Sequence, residues 1–244
     1  MTDNSLKNNK DLSKQEIETY FNQLEIGNWK TVLEALDILA PDYSNSPSFF
    51  LITGIAHSMA MLENGDIEKP IVCFDKAKSL GCGLKDYYTN LKEHYSRIGH
   101  YLYSIGDNED SYKYFIKATE YSSNNNHIYL TSAANMLVKL NKAEEAKAMY
   151  KKAIKIDNNY VFAYNNLGLC CYTHKDYNEA LINFHKCILV DDTNPIFWVN
   201  YANCLWALKR QEEALEAYYK VRMLDPSNPD TFILLASALD TMGQ

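Results

Sequence analysis

Residues 161–194 read VFAYNNLGLCCYTHKDYNEALINFHKCILVDDTN, and the same pattern returns one unit earlier and one unit later. At a step of 34 residues, Ala146 leads to Ala180 and Ala214, Tyr150 to Phe184 and Tyr218, and Asp157 to Asp191 and Asp225. Leu130 leads to Tyr164, Trp198 and Phe232, and Ala134 to Gly168, Ala202 and Ala236. Leu137 leads to Cys171, Leu205 and Leu239. Six registers with one period mark an internal repeat, and a repeat decides the architecture before any single element is considered.

Each unit reads as two helices. Tyr164, Leu167 and Cys171 recur at three and four residues, Lys175-Asp176-Tyr177 breaks the run, and Ala180, Phe184, Cys187 and Ile188 resume it. Asp191-Asp192-Thr193-Asn194-Pro195 ends the second helix and starts the next unit, because Asp and Asn favour turns and caps and Pro fits a first helical turn. Small residues are expected where helices cross. Gly168 should face Ala180, and Ala202 should face Ala214; bulk there would overpack at roughly 1–3 kcal/mol.

This pattern resembles the tetratricopeptide repeat family. Tyr164, Leu167, Gly168, Ala180 and Phe184 match its signature, and Trp198, Ala202, Ala214, Tyr218 and Pro226 match it again in the next unit. The resemblance is strongest from His127 to Gln244. It implies an all-α fold, a right-handed α-solenoid of stacked helix–turn–helix repeats in which contacts run mainly between neighbours.

Upstream the pattern weakens. Tyr95, Ile98, Gly99 and Leu102 read as a first helix, Gly106-Asp107 as its turn, and Phe115 and Ala118 as a second helix, with Ser111 in place of the usual Ala. Phe50 and Gly54 precede Gly65-Asp66, Phe74 and Ala77, with about four extra residues in the first helix or its turn. Pro70 stands near the start of the second helix, where Pro is tolerated. An insertion begins at Gly81-Cys82-Gly83-Leu84. The earliest pair spans Ser13 to Ala40, turns at Gly27-Asn28-Trp29, and opens with a Ser13/Glu16 capping box. The organisation predicted is a disordered polar tail over 1–12 and degenerate helical pairs with insertions over 13–91. A divergent repeat over 92–126 and three regular repeats over 127–228 follow. A further first helix or capping helix closes the chain over 229–244.

The chain has 244 residues, 47% of them apolar and 23% charged, with a net charge of −7. That apolar content supports an ordered core. An acidic chain without a basic block is a poor general binder of nucleic acid, because phosphate contacts need Lys and Arg. No stretch approaches the roughly 20 consecutive apolar residues of a membrane span, so no membrane insertion is expected and the default location is cytoplasmic. The six cysteines, Cys73, Cys82, Cys170, Cys171, Cys187 and Cys204, resemble no secreted disulfide framework.

Cys170-Cys171 with His174, and His185 and Cys187 one helix later, form the most metal-like cluster. It lacks a second spaced ligand pair, and Cys171 occupies a repeat core position, so structural thiols are expected, with no metal and no cofactor. No phosphate loop, nucleophile elbow or paired acid motif is present, so the reading is not an enzyme. Tyr87-Tyr88, Tyr101, Tyr103, Tyr112 and Tyr114 cluster in the irregular middle and read as packing.

The resemblance implies that first helices line a concave groove. Their outward residues in the regular repeats are Thr131, Asn135 and Val138, then Phe162, Asn165, Asn166, Leu169 and Tyr172, then Ile196, Val199, Asn200, Asn203 and Trp206. An Asn amide offers donor and acceptor together, so a ladder of them can bind an extended peptide backbone. Phe162, Tyr172, Ile196 and Trp206 supply apolar pockets. One subtype of the family clamps a C-terminal carboxylate with two Asn and several cations. Asn135 and Asn166 match its amides, but Thr131, Ile196 and Asn200 stand where Lys or Arg is required, which excludes that clamp.

The function expected is a scaffold that binds a protein or peptide partner, as an extended segment or a helix. The alternatives are the recognition module of a larger enzyme, such as a glycosyltransferase, and a type III secretion-type chaperone. The last helix, 229–242, offers Phe232, Ile233, Leu234, Leu235, Ala236, Ala238 and Leu239, and stops at Gly243-Gln244. Phe232, Leu235 and Leu239 are expected to lack their packing partner there. Either further repeats or a homodimer would cover them.

Overall fold

The computed structural model describes residues 10–122, 126–227 and 229–242, and it contains thirteen helices among them. They fall into two compact units, residues 1–125 and 126–244, each considered by itself. The first unit holds α1 (Lys14–Glu25), α2 (Trp29–Leu39), α3 (Pro47–Asn64), α4 (Glu68–Ser79), α5 (Leu84–Ser104) and α6 (Asn108–Glu120). The second holds α7 (Asn126–Lys139), α8 (Ala143–Ile156), α9 (Val161–Thr173), α10 (Tyr177–Val190), α11 (Pro195–Ala207), α12 (Gln211–Leu224) and α13 (Pro229–Met242). In each unit consecutive helices pack as antiparallel hairpins, and each second helix also packs on the next first helix. No described helix is long and apolar enough to cross a membrane.

Five of the six hairpin turns share one geometry, the exception being the α3–α4 turn at Gly65. In the regular repeats the residue after the first helix has positive φ: Asn141 at 59°, Lys175 at 65° and Lys209 at 64°. Its N–H and the next one reach back to the helix carbonyls, as in Lys175 to Tyr172 at 3.0 Å and Asp176 to Cys171 at 2.9 Å. That is the Schellman arrangement, which satisfies the orphan carbonyls of a helix end. Gly27 and Gly106 take the same place in the first unit, at φ 84° and 87°, and there no Cβ resists the conformation.

The extra residues of the second pair lengthen its first helix, so α3 runs for 18 residues. The insertion after Gly81 likewise extends α5 to 21 residues. Ser111 is fully buried in the place of the usual Ala, and its hydroxyl donates to the Gly99 carbonyl at 2.7 Å. The Ser13/Glu16 capping box is formed. Of the predicted tail, residues 1–9 lie outside the described part. Asp11 and Leu12 are fastened: Leu12 is buried, and Asp11 accepts from the hydroxyls of Ser46 and Ser48 at the start of α3. Between α5 and α6, Tyr95 packs against Tyr114 and Tyr121, and Tyr88 also meets Tyr121, so these rings serve packing. The Tyr87 side chain lies outside the described residues.

The space left by Gly168 is filled by Phe184: a Cβ there would sit 2.6 Å from the Phe184 ring. One packing expectation is corrected. In α13 the apolar row divides. Leu235 and Ala238 are buried in a cluster with Leu205, Ala214, Ala217 and Tyr218, because α13 lies against α12. Phe232 and Ile233 remain 47% and 66% exposed, with the Arg222 guanidinium 5.2 Å from the Phe232 ring. The Leu234 side chain, Gly243 and Gln244 lie outside the described residues.

Candidate functional site

The first helices α7, α9 and α11 place their side chains in rows one repeat apart. Ile128, Phe162 and Ile196 form an exposed apolar row at the helix starts, at 40%, 58% and 60% exposure. Near the helix ends Val138, Tyr172 and Trp206 form a second row, each half-buried, with Tyr172 edge-on to Tyr177. Between the two rows lie the asparagines, all half-buried, with Val199 half-buried and Leu169 exposed among them. Thr131 is corrected out of this face. It is 4% exposed, and its hydroxyl bonds the His127 carbonyl four residues back, which turns it into the helix rather than outward.

The asparagines bond one another. Asn166 donates to Asn135 at 2.9 Å, Asn165 to Asn166 at 3.2 Å, and Asn200 to Asn165 at 2.9 Å. This chain of amides crosses from α7 to α9 and from α9 to α11. The Asn135 end is fixed from behind, where the Tyr150 hydroxyl donates to Asn135, and separately the Tyr218 hydroxyl donates to Asn203, both at 2.6 Å. Tyr150 and Tyr218 are buried, which raises both phenols, that of Tyr218 to about 12, so each stays a neutral donor. The Asn135 and Asn203 NH2 groups and the Asn200 carbonyl have no partner among the described residues. Since an amide has two donors and an acceptor, these groups, with the second N–H of Asn165, Asn166 and Asn200, are left for a ligand.

The tyrosines were missed by sequence reasoning, although the signal was present. At the repeat where Leu169 replaces Asn, Phe184 replaces Tyr, so the hydroxyl appears only where an amide awaits it. A second missed signal is charge. Helices α9 and α11, at 13 residues each, contain no Asp, Glu, Lys or Arg. The second helices α8, α10 and α12 hold the charges instead, and Lys151 of α8 bridges to Glu179 of α10 at 2.6 Å.

The cysteine cluster does not converge with its histidines. Cys170 approaches the Ala143 carbonyl at 3.9 Å, and His174 Nδ1 lies 2.8 Å from the Cys170 carbonyl oxygen. His185 stacks near Tyr201, and the Cys187 thiol approaches the Val161 carbonyl at 3.6 Å. Among the described residues one other group comes close, Cys171 with Asp176 and Glu179, whose ligand atoms lie within 4.8 Å of one another. Lys147, 3.9 Å from Asp176, and Lys151 on Glu179 already supply its positive charge. Burial pushes the Cys171 thiol up to about 12. A recess of 490 Å³ lies elsewhere, over Trp198, Tyr201, Glu213, Glu216 and Lys220. Of its charges, Glu213 pairs with Arg210, and Lys220 lies over the Trp198 ring.

Known proteins place this geometry in a family. Profiles described as tetratricopeptide repeat match residues 93–125 and 189–229, and one described as TPR repeat matches 134–175. Among solved structures, YrrB, described as a TPR protein with an unusual peptide-binding site, is 18% identical at a TM-score of 0.56 and covers 87% of this chain and 100% of its own. A MamA structure is 15% identical at 0.57, covering 72% and 92%. MamA from Desulfovibrio magneticus RS-1 is 18% identical at 0.57, covering 62% and 85%. At these identities the likeness is one of fold. No curated protein matches the chain significantly.

Proposed function

We propose that this chain, which belongs to the tetratricopeptide-repeat family through residues 93–229, is a protein-interaction scaffold that holds an extended peptide or partner helix on the face of α7, α9 and α11. The observation that supports the reading is the amide chain from Asn135 to Asn200, fixed from behind by Tyr150 and flanked by exposed Phe162 and Ile196. Amides already held in place lose little freedom when a ligand arrives, so the hydrogen bonds they make are not offset by ordering. The peptide-binding site ascribed to YrrB, which shares the fold, is consistent with it.

The test uses the chain's own alternative. Ala202→Gly with Asn203→Leu and Tyr218→Phe reproduces the Gly168, Leu169 and Phe184 set, so the melting temperature should hold while the free amide is lost. Partners retained by the wild type and identified by mass spectrometry should be weakened by the triple variant, by roughly 0.5–1.5 kcal/mol for each hydrogen bond removed. Equal retention would count against this face.

A further inference from the structure

We infer that the segment received on the face of α7, α9 and α11 is uncharged, extended, and apolar at every third residue; this rests on the binding face proposed above. The first support is electrostatic. The chain is acidic overall, at −7, yet α9 and α11 contain no charged side chain. Charges lie on the second helices and the turns, in pairs such as Lys151–Glu179 from α8 to α10 and Arg210–Glu213 at the start of α12. A ligand charge brought onto this face would lose its water and meet only amides and apolar groups, which is costly for an ion. Neutral backbone groups lose far less and find the Asn135 and Asn203 donors and the Asn200 acceptor.

The second support is spacing. Asn166 reaches Asn135, and Asn200 reaches Asn165, so neighbouring first helices stand at side-chain contact. Packed helices lie about 8–10 Å apart. An extended chain in the polyproline II conformation advances about 3.1 Å per residue with three residues per turn, so side chains three apart share a face and span one helix to the next. The apolar row Ile128, Phe162 and Ile196 offers one contact per helix and is exposed at each. Side chains three apart on the ligand would meet successive members of that row while the backbone between them faces the amides.

The experiment is a selection of phage-displayed random dodecapeptides on the full chain, counter-selected on Ile196→Glu and on the Ala202→Gly/Asn203→Leu/Tyr218→Phe variant. The enriched peptides should carry an uncharged run with apolar residues three apart. Affinity of a selected peptide, read by fluorescence anisotropy, should change less than about twofold when the Debye length is cut from about 10 Å to about 3 Å by salt. Enrichment of acidic or basic peptides, a tenfold loss in salt, or uncharged peptides without the three-residue spacing would each overturn this inference and leave the binding face standing. Peptides that bind both variants as well as the wild type would instead overturn the binding face itself. Concentration-dependent dimerisation abolished by Ile196→Glu would assign the face to a second copy of the chain and also overturn the inference.

Discussion

Where a second helix offers a phenyl ring, the first helix offers a glycine: Gly54 with Phe74, Gly99 with Phe115 and Gly168 with Phe184. Where the ring is Tyr150 or Tyr218, the small residue is Ala134 or Ala202, and the hydroxyl finds an asparagine. The phenyl leans into the space that a Cβ would take, while the phenol is held by its hydrogen bond. Gly168→Ala should therefore destabilise by about 1–3 kcal/mol in urea unfolding, although Gly→Ala within a helix ordinarily stabilises by roughly 0.5–1 kcal/mol. Adding Leu169→Asn and Phe184→Tyr should recover most of the loss, because it recreates the Ala202, Asn203 and Tyr218 set. A stabilised single variant would refute this account. The thiols permit a second test at this scale. Burial raises Cys73 and Cys204 to about 11 and Cys187 to about 12, and Cys82 alone of the six is not buried. Ellman's reagent at pH 8 should titrate one thiol rapidly in the native chain and six in denaturant. Several fast native thiols would show that the cysteines are accessible.

Element by element, the period carried the helices and the turns, since Ala180, Phe184 and Asp191 each fall at a place only one kind of residue can fill. The face of the first helices was legible as a set of residues, but not as a network. Whether Asn165 points to Asn166 or to a ligand depends on a neighbouring helix one repeat away, and Thr131 was turned inward by a bond to its own helix. Asp11 escaped notice because its partners, Ser46 and Ser48, lie 35 and 37 residues on. The turns yield a prediction of their own. Lys175 and Lys209 hold positive φ without the freedom of glycine, a conformation that costs an ordinary L-residue about 1–2 kcal/mol. Lys175→Gly and Lys209→Gly should each raise stability by up to about 1 kcal/mol, after the entropy glycine adds to the unfolded chain. Asn141→Gly should gain less, because Asn tolerates this region. Loss of melting temperature in both lysine variants would mean that those side chains, and not the backbone, matter at the turn.

At the scale of the whole molecule, the two units should respond differently to acid. His94 in the first unit is fully buried, with Nδ1 2.9 Å from the Ser58 hydroxyl and Nε2 3.0 Å from the Ile67 carbonyl. The carbonyl can only accept, so Nε2 is the protonated nitrogen and Nδ1 accepts from Ser58. A proton on Nδ1 would face that hydroxyl in a site closed to water. Burial, aided by the nearby Arg97, holds the pKa of His94 at about 4, against 6.5 for a free histidine. His57, also in the first unit, is shifted the same way by burial and Lys69. With a folded pKa below the unfolded one, the unfolded chain takes up the proton first as pH falls. The stability contributed by neutral His94 is therefore complete above about pH 6.5 and is lost progressively toward pH 4, to a total of about 3 kcal/mol. Hydrogen exchange at pH 7.5 and pH 4.5, corrected for intrinsic rates, should show α3, α4 and α5 losing protection before α8 to α12 do. His94→Gln, which cannot titrate and still offers a donor to the Ile67 carbonyl, should be less stable at pH 7.5 and should lose much of the acid sensitivity between pH 6.5 and 4. If α8 to α12 open first, or the variant keeps the full acid slope, His94 does not govern the acid response.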